Sequence, residues 1–146
     1  MKRNWIRVPL LFAATALLAA NFGCPAPAPP PEAVLAGVWQ MVPSQNFNPQ
    51  LTNWFLTFDE DGELTQVSYT FAGAATVTWN NPPSATTVNG TAVFISVTQS
   101  GNGLTFDGTL NSATAPTSAT GTLNSNLVVG GVTITVNQGP ATLNKQ

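Results

Sequence analysis

Histidine is absent from this 146-residue chain, one cysteine is present, and the acidic residues number six. Nucleophiles, general bases and metal sites are built from these side chains, so so short an inventory narrows the chemistry open to the chain. A serine activated by a lysine would need Lys145, next to the C-terminal residue, and nothing in the sequence places a serine beside it. A carboxylate pair would have to combine Asp107 with Asp59, Asp61 or Glu63. The chain therefore reads as a protein that is not an enzyme and carries no cofactor. One run is dense in oxygen ligands: Asp59-Glu60-Asp61-Gly62-Glu63 alternates carboxylates about a glycine, a spacing in which a hard cation can be approached. A complete loop would need further ligands and a bidentate glutamate at its end, whereas Leu64, Val67 and Tyr69 continue with strand alternation. The run is expected to be an exposed hairpin turn with Gly62 left-handed. Asp59, Asp61 and Glu63 remain weak metal candidates.

The aromatic residues are the second group with binding chemistry: Trp39, Phe47, Trp54, Phe55, Phe58, Tyr69, Phe71, Trp79, Phe94 and Phe106. Their default role is core packing, and their functional role would be to stack on a sugar or to line an apolar cavity. Trp39, Trp54, Phe71 and Trp79 are taken as the ligand-binding candidates. Trp54 and Phe55 are adjacent, so on a strand they must face opposite sides.

Positioning begins with the first residues. Lys2, Arg3 and Arg7 precede an apolar run from residue 10 to 20, a length that suits a cleaved export signal better than a membrane span. The stretch Leu17-Leu18-Ala19-Ala20-Asn21-Phe22-Gly23-Cys24 resembles a bacterial lipobox, in which a small residue precedes the cysteine that is acylated and becomes the new N-terminus. Residues 1–23 are then signal peptide, Cys24 is the lipidation site, and ordinary cleavage near Ala20 is the alternative. No second cysteine exists to pair with Cys24. Pro25-Ala26-Pro27-Ala28-Pro29-Pro30-Pro31 reads as an extended polyproline spacer within a tether covering 24–34. Beyond Cys24 one base, Lys145, faces six acids, a net charge of −5. That balance excludes the cationic footprint of nucleic-acid binding and docking on anionic headgroups, so any membrane contact would come through the N-terminal lipid. Pro25 stands where an aspartate signals inner-membrane retention in some bacteria, which favours the outer membrane, on its periplasmic or surface face.

From residue 35 to 146 the pattern is that of one domain. Apolar residues alternate with Thr, Ser and Asn, and no stretch carries a helical period. Strands are expected over 37–42, 53–58, 63–71, 74–80, 84–88, 91–98, 104–110, 119–127, 132–137 and 141–144. Asn89-Gly90 reads as a type I′ turn, Gly101-Asn102-Gly103 as a longer one and Gly130-Gly131 as another. Residues 43–50 and 112–118 are the longer connections, where a lid or mouth would be built. Short turns without crossover helices give an all-β antiparallel meander that closes into a small β-barrel, with a two-layer sandwich as the alternative.

Leu35-Ala36-Gly37-Val38-Trp39 followed by Trp54-Phe55-Leu56-Thr57-Phe58-Asp59-Glu60-Asp61-Gly62-Glu63-Leu64 resembles the start of bacterial lipocalin-like lipoproteins, which pair a Gly-x-Trp on the first strand with a later Thr-Phe-x-x-x-Gly hairpin. In lipocalins the matching tryptophan closes one barrel end and packs under an arginine from near the C-terminus. No arginine follows Arg7 here, so Lys145 is the base available to cover Trp39. The resemblance implies an envelope lipoprotein whose barrel holds a small apolar ligand or lipid. The alternative is a barrel filled by its own side chains, acting as a structural or interaction module that contacts envelope proteins or glycans.

Overall fold

The computed structural model describes residues 27–44, 51–71, 76–129 and 132–146. Cys24, Phe47 and the expected export segment lie outside these residues. Pro30 has φ −60° and ψ 151°, polyproline geometry, and leads into a 3-10 turn, Pro31–Leu35. Nine strands follow: β1 (Gly37–Pro43), β2 (Leu51–Phe58), β3 (Leu64–Phe71), β4 (Thr76–Asn80), β5 (Ser84–Asn89), β6 (Ala92–Gln99), β7 (Asn102–Leu110), β8 (Ser118–Val129) and β9 (Val132–Lys145). The protein is all-β. Its strands make one continuous antiparallel sheet, ordered β4-β3-β2-β1-β9-β8-β7-β6-β5, that curls strongly into a half-barrel. A single sheet replaces the two layers of the sandwich alternative.

The alternation read in the sequence becomes two faces. Val93, Ile95 and Val97 of β6, Leu104 and Phe106 of β7, Leu123 and Leu127 of β8, and Ala141 and Leu143 of β9 are buried inside. Thr120, Thr122, Asn124 and Asn126 of β8 are exposed outside. The segments expected at 132–137 and 141–144 are one strand, β9. The interruption between them is a bulge: register shifts between Leu123 and Ser125 of β8, and Gln138 takes φ +48°. An extra residue of this kind bends a strand without ending it. The β5–β6 turn lies one residue later than expected. Asn89 still pairs with Ala92, and Gly90 (φ +61°) opens a two-residue Gly90-Thr91 turn with positive φ at its first position, the II′ pattern. The β6–β7 turn is the two-residue Ser100-Gly101, with φ +49° and +81°.

First and last strands pair. Trp39 lies opposite Lys145, and Pro43 opposite Ala141, which joins the ends of the meander at the β1–β9 seam. The edges of the sheet are β4 and β5, yet only Asn81, Pro82 and Pro83 separate them in the chain. Four backbone steps reach about 14 Å at most, so the curl must bring these two edges back together. Direction then follows by counting reversals. β4 is three antiparallel steps from β1 and β5 is five, so both run opposite to β1 and parallel to each other. β4 and β5 are therefore two halves of one strand. Asn81 N–H still donates to Thr65 O of β3, while Pro83 O already accepts from Thr98 of β6, so the chain changes partner across the corner. Neither proline has an N–H to carry a ladder through it.

Candidate functional site

The partner change leaves a gap beside β5, because β3 stays with β4. Two elements move into it: the Pro31–Leu35 turn and the β2–β3 hairpin. The hairpin is organised by Asp59, whose Oδ1 accepts the backbone N–H groups of Asp61 (3.1 Å) and Glu63 (2.8 Å). Gly62 has φ +82°, the left-handed turn expected from the sequence. A Cβ at this position would stand 2.0 Å from Glu32 O, so the absence of a side chain is what lets hairpin and turn meet. Glu32 Oε1 in turn accepts the Val88 N–H of β5 at 3.2 Å. A carboxylate thus replaces a strand as the partner of that edge amide.

Between these elements lies an open cleft of about 690 Å³. Its walls include Glu32, Asp61 and Glu63, with Thr65, Asn81 and Thr86 opposite or between them, and no lining residue is basic. Thr86 Oγ1 is buried without a hydrogen-bond partner among the described residues. This volume falls in the range of small-molecule sites, about 300–1,000 Å³. A second, shallower recess of about 220 Å³ lies across β6, β7 and β8 around Gly103, Leu104 and Ser125.

The expected binding residues are elsewhere. Trp39 is fully buried; its Nε1 donates to Leu35 O at 2.6 Å, and Lys145 Nζ stands 5.6 Å from its ring centroid. Lys145 thus lies within cation–π reach of this ring. Trp54 and Trp79 are brought together by Tyr69, edge to face at 6.4 and 5.6 Å. All three are buried, and Phe55 is half-buried on the opposite side of β2. Burial pushes the Tyr69 phenol above its ordinary value of 10.0, opposed by a hydrogen bond from the Trp79 side chain. The indole N–H of Trp54, at 2% exposure, has no partner among the described residues, and neither does the Ser125 hydroxyl. Phe71 ends β3, and its side chain lies outside the described residues.

The acidic candidates divide. Asp59 organises the hairpin, Asp61 and Glu63 face the cleft, and Asp107 is exposed on the outer face of β7 between Phe94 and Thr122. Among the described residues no three acids or other ligating side chains gather as a metal site. The connection at 112–118 is pinned by Asn111, whose Oδ1 accepts from Thr117 and Ser118, and it lies beside Lys145. Its mouth-like partner at 45–50 lies outside the described residues. Glu32, Ser84 and Thr86 do not stand out in the sequence: the Asn-Pro-Pro break before Ser84 and Thr86 reads as an ordinary turn, and nothing local marks Glu32. Among the described residues no helix is long and apolar enough to cross a membrane. In comparisons with known proteins, no family model, no curated protein and no solved structure matches this chain.

Proposed function

We infer that this chain is a non-enzymatic envelope lipoprotein, anchored through Cys24, that binds a small polar ligand of positive charge in the cleft beside β5. The observation that carries the reading is the cleft itself, about 690 Å³ where one strand changes partner. Its charge sets the ligand class. Three carboxylates without a neighbouring base attract an ammonium or guanidinium group and repel an anion. The barrel interior supports the same choice, because Trp39, Tyr69, Phe106 and Leu123 fill it to below 1% exposure.

Native mass spectrometry of the lipid-anchored protein, extracted from a bacterial envelope in mild detergent, tests this reading. A bound cationic molecule that is lost in Ser84→Trp, a variant that fills the cleft, is the expected result. An apolar molecule that survives Ser84→Trp overturns it. That outcome belongs to a second reading, an apolar ligand held outside the cleft. The anchor is tested separately: Cys24→Ser should move the protein from the membrane fraction to the soluble one.

A further inference from the structure

The Pro31–Leu35 turn is held by three contacts of different kinds. Leu35 is buried in the core, with its carbonyl accepting from Trp39 Nε1. The Glu32 carboxylate accepts the Val88 N–H. The Glu32 backbone lies on Gly62, in the space a Cβ would otherwise occupy. A five-residue 3-10 turn has no stability of its own, so its position depends wholly on these contacts.

The Val88 contact is made at a sheet edge. Pro83 pairs with Thr98 through the Thr98 N–H, and the alternation of an antiparallel ladder then points the N–H groups of residues 84, 86 and 88 away from β6. The turn therefore covers the Val88 end of an edge whose other groups open on the cleft. It also forms one wall of the cleft, through Pro30 and Glu32. On its other side it continues directly into the proline-rich segment.

We propose that Pro31–Leu35 is a releasable strap. Docked, it closes the seam beside β5 and completes the cleft; released, it uncovers the β5 edge and removes a cleft wall, while the β1–β9 ladder and the rest of the core stay intact. Its role in binding rests on the cleft reading above. By thermodynamic reciprocity, a molecule bound against Pro30 or Glu32 favours docking by the same factor that docking favours its binding. A pull on the proline-rich segment acts against both. The strap thus couples cleft occupancy to whatever holds the N-terminal segment.

The test is amide hydrogen exchange on the full chain in mild detergent with no ligand added, so its result does not depend on whether the cleft binds anything. Peptides covering 31–36 and 84–89 should exchange together and faster than those of β7, β8 and β9. Leu35→Ala should speed both segments about tenfold or more and leave them exchanging well ahead of β7–β9. Glu32→Gln keeps the side-chain shape and should speed 84–89 by a smaller factor, so the comparison survives if Leu35→Ala fails to fold. Exchange of both segments only together with β7–β9, in the wild type and in Glu32→Gln, would show one global opening and overturn the strap.

Discussion

The two seams of this sheet close in opposite ways. At β1–β9, backbone pairs from Trp39–Lys145 to Pro43–Ala141 form a ladder, and the side chains beneath it, Trp39, Met41, Ala141 and Leu143, are all buried. At β4–β5 two prolines remove the donors, and closure falls to a carboxylate on Val88, a glycine against a backbone carbonyl, and a five-residue turn. A ladder uses every edge group and draws strands to within about 4.8 Å, which leaves no room for a ligand. Closure by a turn and side chains satisfies the edge group by group and leaves space between them. The capacity to bind thus sits at the seam that the backbone does not close.

The largest effect should come from breaking the laddered seam. Trp39→Ala removes the ring that meets Leu35, the lumen and Lys145 together, and should cost about 3–5 kcal/mol in urea denaturation; a loss below about 1 kcal/mol would mean that this seam does not anchor the core. Gly62→Ala attacks the other seam. Its φ of +82° and the clash that an added Cβ would make with Glu32 O predict a loss of about 1–3 kcal/mol. The change should also make the chain more sensitive to proteolysis near Leu35.

Tyr69 sharpens the comparison through pH. Its phenol is raised by burial above 10.0, so the unfolded chain ionises first. The stability this contributes is fully present below pH 10 and is lost as pH rises through 10 toward the folded value. The slope is at most about 1.4 kcal/mol per pH unit. Tyr69→Phe should flatten the alkaline limb of a stability–pH curve; an unchanged limb would show that the phenol is not kept neutral by the fold. The smallest effect is expected at Asn111, whose side chain holds the exposed 112–118 connection. Asn111→Ala should cost about 1 kcal/mol and speed exchange at Thr117 and Ser118, without reaching either seam.

The laddered seam was the more legible of the two. Gly37-Val38-Trp39 at the start, the Ala141 to Asn144 alternation at the end and a lone late base at Lys145 are local signals, and a meander that closes must pair its first strand with its last. The acidic turn was legible for the same reason, since Gly62 and Asp59 act within five residues. The strand break was not. Asn81-Pro82-Pro83 reads as any turn between two strands, and only the parity of eight remote pairings reveals that the chain does not reverse there. Glu32 was hidden by its setting: a single acid at the end of a proline-rich stretch has no period to betray that its carboxylate meets Val88, 56 residues later. Trp54 and Trp79 illustrate the converse limit. Their types suited a binding surface, but alternation fixed only which way they face, and the lumen they face is occupied by Tyr69.

The unreversed strand has one more result. With β4 and β5 counted as a single run, the meander makes an even number of passes, so it must end at the rim where it began, as the bond from Gln146 N–H to Val38 O records. A fluorescent or affinity label attached after Gln146 would therefore emerge beside the proline-rich segment and crowd the strap. The same label inserted between β8 and β9, at the far rim, would report on the protein without disturbing it.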